Sequence, residues 1–562
     1  MGTMGMTETT QDAAERCDEM PQVLPDSTVA EHPTQEQTST NERLLPARST
    51  VVRRAMAICA GILARIQAHL LQVLLLLLSS AMLVLLAQAV TGRIAHPYCL
   101  EWMEGAMVDH VARVLDGKRL YVPPSLEFVP YIYSPMFYWA SAAVAWVIGL
   151  GYLPLRIVSV AATAGTLVCI MAFVRRERGS WLAAIAGAAL FAGTYPLSGH
   201  FIDLGRVDSL SICLLLWSAF AVRFGSGRSS VAIAAVLMLL AFFTKQSAAI
   251  LAVPMAVYLF WASRRRCFWF VGLLAVLGVA TNVAMDIVHD GWYWYYTNRV
   301  VDGHAKIWKT IHLVVRNDLA MPFCFAIAVS ALVFLRRASA GGRSHGRLFY
   351  GMLFAGLALT AVMGRVHSGG YMNVLMPWHA GIAVLFGVGI HAAHARNGHE
   401  PSRLRHYAVL LASIQLALLW WDPTHSIPAP GDIAAGDAWV AKIKAVPGRV
   451  WVTHRSHMGV LAGKEPHAHM MAMLDVMRSE AEYRKSKSKL GKEVDEALST
   501  QRFELVITDN YDFWFLPTLR RFYDRDGVDW FDGNRDAFWA RSGARLRPEL
   551  GHKPRQSGAR PR

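Results

Sequence analysis

Apolar residues come in long consecutive blocks in this chain, and that limits its fold more than anything else. The run Leu70 to Val90 is long enough to cross ~30 Å of hydrocarbon at ~1.5 Å per helical residue. Many such blocks follow one another. Composition supports the same reading: 54% of the 562 residues are hydrophobic and 17% charged, against about 25% charged in a soluble globular chain. The chain reads as an α-helical polytopic membrane protein.

Its net charge of +15 would point to nucleic acid in a soluble protein. Here the cations lie in short loops beside apolar blocks: Arg175-Arg176-Glu177-Arg178, Arg223 to Arg228, Arg264-Arg265-Arg266, Arg336-Arg337 to Arg347, and His394 to His406. Such loops stay cytoplasmic, so no nucleic acid partner is expected. The seven cysteines have neither the spacing of a zinc site nor the density of a disulfide scaffold. The lack of any Asn-x-Ser/Thr sequon leans towards a bacterial chain, and hence its inner membrane.

Keeping every basic loop inside gives about eleven spans: 70–90, 154–174, 181–198, 208–224, 229–244, 247–262, 268–288, 319–335, 348–364, 372–392 and 406–422. A further crossing at Tyr133 to Leu150 would invert the loops after it. That stretch, with Tyr138, Trp139 and Trp146, is expected to lie in the outer interface or to re-enter from it. Residues 229–262 read as two short helices around an external turn at Lys245-Gln246.

The expected domains are then a disordered cytoplasmic N-terminus, 1–49, and a transmembrane domain, 50–423, with external loops 91–153, 199–207, 289–318 and 365–371. An extracytoplasmic α/β domain, 424–545, and a basic flexible tail, 546–562, follow. In that domain a helix from Asp432 to about Val446, strands at Arg449 to Thr453 and Leu505 to Thr508, and a long charged helix from about Ala472 to Thr500 are expected.

A charge in or near a span costs roughly 2.5–3.5 kcal/mol at the bilayer centre, so such residues are candidates for function. On this topology they gather at the outer face. Glu101 and Glu104 are one helical turn apart and share a face. Paired carboxylates can act as a general base or hold a divalent metal; acids at a helix N-terminus are the plain alternative. Arg206 breaks the positive-inside pattern and suits a phosphate, although a salt bridge to Asp203 or Asp208 would also satisfy it. Lys245 stands among apolar neighbours with Gln246 beside it. The turn from Arg365 to Asn373 adds His367 and Tyr371. His454, His457, His467 and His469 in the tail lack a zinc spacing. Nothing in the sequence demands a cofactor, and a divalent metal stays open.

The stretch from Glu101-Trp-Met-Glu104-Gly105 through Leu115-Asp-Gly117 and Tyr121 to Tyr133-Ser-Pro135-Met-Phe-Tyr138-Trp139 resembles the first external loop of glycosyltransferase family 39. These are the lipid-phosphate-sugar transferases of the GT-C fold. Arg206-Val-Asp208, Thr244-Lys245-Gln246 and Gly370-Tyr-Met-Asn373 are similar to later family motifs. The family's catalytic Asp position is Met103 here, so the base lies between Glu104 and Glu101. The resemblance implies a GT-C fold with interface helices in the first loop. It also implies transfer of a monosaccharide from a polyprenyl-phosphate donor to an acceptor hydroxyl of glycan, lipid or protein, with inversion, outside the cytoplasm. Glu104, Glu101 and Asp208 would be catalytic. Arg206, Lys245, Gln246, Tyr133, Arg365, His367, Tyr371 and Asn373 would bind substrate. The rival is a secondary transporter or lipid flippase, which would place ionisable groups at the midplane within inverted repeats.

Overall fold

The computed structural model describes residues 45–335, 345–394, 403–479, 484–509, 513–530 and 548–556. The chain divides into two compact units, Met1–Arg65 and Ile66–Arg562; apart from the start of the first helix, everything below concerns the second. Most of the stretch read as a disordered N-terminus, and parts of the basic loops at 336–347 and 394–406, lie outside the described residues. Helix α1, Leu45–Arg93, starts inside the stretch read as disordered. Pro46 falls in its first turn, where a missing N–H is tolerated.

Among the described residues, nine helices are long and apolar enough to cross a membrane. They are Ile66–Arg93, Tyr152–Arg176 (α4), Val207–Phe224 (α6), Gly227–Thr244 (α7), Arg264–Val288 (α9), Trp308–Leu335, Gly346–Val366, Met372–Ala393 and Arg403–His425. The chain is therefore a multi-pass membrane protein. Two of the expected spans correspond to shorter helices, Trp181–Gly193 (α5) and Gln246–Ala262, the latter containing α8, Ala249–Ala262. Ser180 caps α5 by accepting from the Ala183 N–H at 3.2 Å. Gly187 and Gly387 let α5 meet the helix Met376–His394 closely: a Cβ on Gly187 would lie 3.0 Å from the Ala383 carbonyl.

Two short helices stand in the loop between the first two spans, α2 (Glu104–Leu115) and α3 (Met136–Ile148). At ~1.5 Å per residue, the 13 residues of α3 are too short to cross. Its end leaves Trp146 83% and Val147 73% exposed, as an interfacial helix would.

Beyond the last span, helix Pro430–Ala445 leads into a four-stranded sheet of order β1-β2-β4-β3. Strand β1 (Val450–Val452) runs parallel to β2 (Leu505–Asp509), with Trp451 opposite Val506. A parallel pair needs a long crossover, and the helices Ser456–Leu461, Met470–Arg478 and Arg484–Ser499 supply it. The single charged helix expected there is thus broken: Ser479 leaves the helical region at ψ 135°. The stretch read as a loose tail forms β4 (Pro548–Pro554), antiparallel to β2 and to β3 (Tyr523–Arg525). Its prolines stand at the strand ends, where the missing donor matters least.

The apolar interior falls into two main clusters. One fills the membrane bundle. The other joins first-loop residues such as Met103, Met107 and Tyr131 to Trp451, Met470 and Ile507 of the C-terminal segment. That segment shares a core with the first loop.

Candidate active site at the outer helix ends

Glu104 opens α2 and is wholly buried. Its Oε1 accepts from Arg156 Nε at 2.9 Å and from the Gly205 N–H at 2.8 Å. Its Oε2 accepts from Arg156 Nη2 at 2.7 Å and from the Leu100 N–H at 2.9 Å. Arg156, near the start of α4, also donates to the carbonyls of Arg93, His96 and Tyr98. Burial pushes the Glu104 pKa up, but Arg156 and the two backbone N–H groups outweigh it and hold it below the usual value. All four strong acceptor positions are engaged, so the carboxylate has no lone pair free for a substrate proton. These bonds tie the start of α2 to α4 and to the 199–207 loop. The sequence reading passed over Arg156, although an arginine at an outer helix end is the same signal that marked Arg206.

Glu101, one turn earlier, is differently placed. Its Oε2 accepts from Arg206 Nη1 at 2.7 Å and from the Met103 N–H at 3.1 Å. Its Oε1 takes no hydrogen bond among the described residues. Burial raises the Glu101 pKa above its ordinary value against the pull of Arg206. Arg206 also donates from Nη2 to the Tyr133 hydroxyl at 3.0 Å, while its buried Nε has no acceptor.

Two residues further on, Asp208 Oδ1 accepts from Lys245 Nζ at 2.6 Å and from Asn373 Nδ2 at 2.9 Å. Its buried Oδ2 is left without a partner. Lys245 keeps 18% of its side chain exposed. Gln246 donates to the Ile132 carbonyl at 2.6 Å and so ties the Lys245 turn to the first loop. Six expected residues, Glu101, Tyr133, Arg206, Asp208, Lys245 and Asn373, thus meet in two linked ion-pair groups with polar atoms to spare.

Among the described residues, no hydrogen bond or ion pair joins Arg365, His367 or Tyr371 to that cluster. Arg365 donates to Asp318 Oδ2 at 3.0 Å and to the Gly370 carbonyl at 2.9 Å, holding its own turn. His367 faces the Val301 carbonyl and the His304 ring. Tyr371 packs against Phe201, whose ring lies beneath the Arg206 guanidinium.

The C-terminal segment reaches the same place. His304 Nε2 donates to the Asp475 carbonyl at 2.8 Å, and Arg478 lies against Gly369. Asp475 is buried, which raises its pKa against the pull of Arg478. The Tyr133 hydroxyl is raised by burial, with Arg206 opposing and Asp208 adding, then Lys245 opposing and Asp475 adding. Asp475 had no sequence signal, because its helix is remote from the motifs. No group of three or more His, Cys, Asp or Glu among the described residues is arranged to hold a metal ion.

Fold and site define a polytopic membrane protein of GT-C type with its polar cluster at one end of the bundle. Residues 130–292 match the family model for dolichyl-phosphate-mannose-protein mannosyltransferases. The structure is similar to that of ArnT from Cupriavidus metallidurans bound to undecaprenyl phosphate, with a TM-score of 0.52 and 12% identity over 86% of this chain and 99% of that one. Apo ArnT from the same organism gives 0.51 and 11%, over 81% and 96%. At that identity the likeness concerns the fold. No curated protein matches in sequence.

Proposed function

We propose that this chain is a membrane glycosyltransferase that moves a monosaccharide from a polyprenyl-phosphate donor to an acceptor hydroxyl. The observation that carries the proposal is the convergence of Glu101, Arg206, Asp208 and Lys245 at the outer ends of α2, α6 and α7, with unsatisfied polar atoms on Arg206 and Asp208. The undecaprenyl phosphate bound by ArnT and the mannosyl donor named for the matching family support a lipid-phosphate sugar as the donor.

Glu101 is the base, in place of Glu104. It takes the proton from the acceptor hydroxyl as that oxygen bonds to the anomeric carbon. The bond from that carbon to the phosphate oxygen breaks with inversion, and the lipid phosphate leaves as an anion. Lys245 and Arg206 are preorganised to stabilise that charge. Asp208, itself held by Asn373, keeps Lys245 in place, and Tyr133 orients Arg206. The basic loops support a position for this end of the bundle, with the C-terminal segment, outside the cytoplasm, and a bacterial inner membrane is the proposed location. Against a transporter reading, the buried ion pairs stand at helix ends: this cluster at one, and Arg223 with Glu177 and Tyr350 at the other.

The test uses membranes from a deletion strain complemented with wild type, Glu101→Gln, Lys245→Ala or empty vector at matched expression. Mass spectrometry of polyprenyl-phosphate sugars should show one lipid-linked sugar accumulating with vector and both variants but not with wild type. No change in any such lipid would sink the proposal.

A further inference from the structure

Five contacts run from the C-terminal segment to residues 99–109, the stretch that carries Glu101. Arg455 Nη1 donates to Cys99 Sγ at 3.1 Å. His457 Nδ1 and Ser456 Oγ take the two oxygens of Asp109, at 2.7 and 3.1 Å. His469 Nε2 reaches the Trp102 carbonyl at 2.9 Å and the His454 carbonyl at 2.7 Å. The His454 ring stacks on the Trp102 indole at 5.2 Å. Gly105 permits this approach, since a Cβ there would lie 2.9 Å from His457 Cβ.

The bonds fix the tautomer of His469. The Met471 N–H can only donate, and it points at Nδ1 from 3.0 Å. Nδ1 is therefore the acceptor, and the ring proton sits on Nε2, aimed at the two carbonyls. Burial lowers the pKa of this histidine to about 4, so the neutral ring is the working form. One imidazole thus joins three strands of chain: the start of helix Met470–Arg478, the loop after β1, and the peptide of Trp102. That peptide lies between Glu101 and Met103, whose N–H holds the Glu101 carboxylate.

We propose that the C-terminal segment positions the base of this transferase, with His469 as the positioning residue that sets the Glu101 turn. The proposal rests on the reading of Glu101 as base. It makes the C-terminal segment a working part of the active site and assigns a role to a histidine that touches no substrate. A glutamine at 469 can do both jobs, its amide oxygen accepting from Met471 and its NH₂ donating to Trp102. An alanine can do neither.

The chain carries its own reporter. Cys99 is 2% exposed beneath Arg455, so loosening of the turn uncovers its thiol. Full-length wild type, His469→Ala and His469→Gln would be placed in lipid nanodiscs. Maleimide labelling of Cys99 would be followed by peptide mass spectrometry, and kcat and donor KM measured with the lipid-linked sugar that accumulates in the deletion strain. His469→Ala should label at Cys99 about tenfold faster through local opening, with kcat down about tenfold from misplacement of the base and donor KM unchanged. His469→Gln should restore both. Should His469→Ala not give monodisperse protein, Ser456→Ala removes one bond to Asp109 and should give a smaller rise in labelling. The proposal is overturned if Cys99 stays as protected in the alanine variants as in wild type, if labelling rises without loss of kcat, or if glutamine behaves as alanine. If wild type itself transfers no lipid-linked sugar, the transferase reading fails, and Cys99 protection still decides whether His469 holds the turn.

Discussion

Glu104 and Glu101 stand one helical turn apart, both buried and both paired with an arginine, yet they are built for different work. The first receives four hydrogen bonds from three separate parts of the chain. The second receives two on one oxygen and keeps the other open. The contrast extends to the cations. Arg156 spends its remaining donors on backbone carbonyls, whereas Arg206 leaves Nε without an acceptor. A saturated buried pair is architecture. On the proposed function, an unsaturated one beside a partly exposed lysine is where a ligand completes the bonding.

Removing Arg156 should test that contrast most severely. Arg156→Met would leave Glu104 charged, buried and unpaired, which costs about 3–5 kcal/mol. The expected outcome is loss of folded protein in detergent gel filtration, with the melting temperature sharply lowered in any that survives. Arg206→Met should fold more nearly as wild type and lose transfer, because Glu101 is tied into fewer elements. Equal destabilisation by the two changes would erase the distinction.

Glu101→Gln should lower turnover by about 10²–10⁴-fold if it is the base, and Lys245→Ala by about 10²–10³-fold, each with a near wild-type melting curve. Glu104→Gln should act on stability instead. The base must be ionised, and burial lifts the Glu101 pKa despite Arg206, with Glu104 adding and Arg455 opposing. The acid limb of the kcat/KM profile should therefore fall above the usual carboxylate value of 4.5. An acid limb below that value would move the base elsewhere.

Acid should next weaken the outer layer. His96, His110 and His469 are each lowered by burial from 6.5 to about 4. Histidines depressed in the folded state take up protons only on unfolding. Their stabilisation is complete above pH 6.5, declines as pH falls towards 4, and is spent below it. Thermal unfolding between those limits should show the decline, and it should be smaller in His469→Gln.

The membrane bundle was readable because hydropathy and loop charge act over whole helices. The expected interface position of α3 and the expected pair of helices around Lys245 both follow from that parity; the structure has a helix of 13 residues at the first and helices of 18 and 14 residues about the second. The cluster of Arg206, Asp208 and Lys245 was legible because charge at a span end is costly and needs a reason. What the sequence hid is pairing across distance. Nothing in the string says that Arg156 takes both oxygens of Glu104, or that His469 grips Trp102 from 367 residues away. The strand at Pro548–Pro554 was read as a loose tail because its prolines and glycine argue against a strand. They are accommodated by its ends and by pairing on both sides.

The smallest effect expected is at Arg365. It is an arginine expected at an outer helix end, which is the signal that identified Arg206. The surroundings differ: Asp318 and the Gly370 carbonyl take its donors, and no direct bond joins it to the Glu101 or Asp208 groups. It holds the turn on which His367 meets His304 and on which Arg478 rests. Arg365→Ala should therefore raise substrate KM by less than about tenfold, the scale of a lost peripheral hydrogen bond, and leave kcat near wild type. Steady-state kinetics on the nanodisc protein would check it. A loss of kcat approaching that of Lys245→Ala would mean that the turn closes onto the leaving phosphate during the reaction, and that Arg365 belongs with the open group after all.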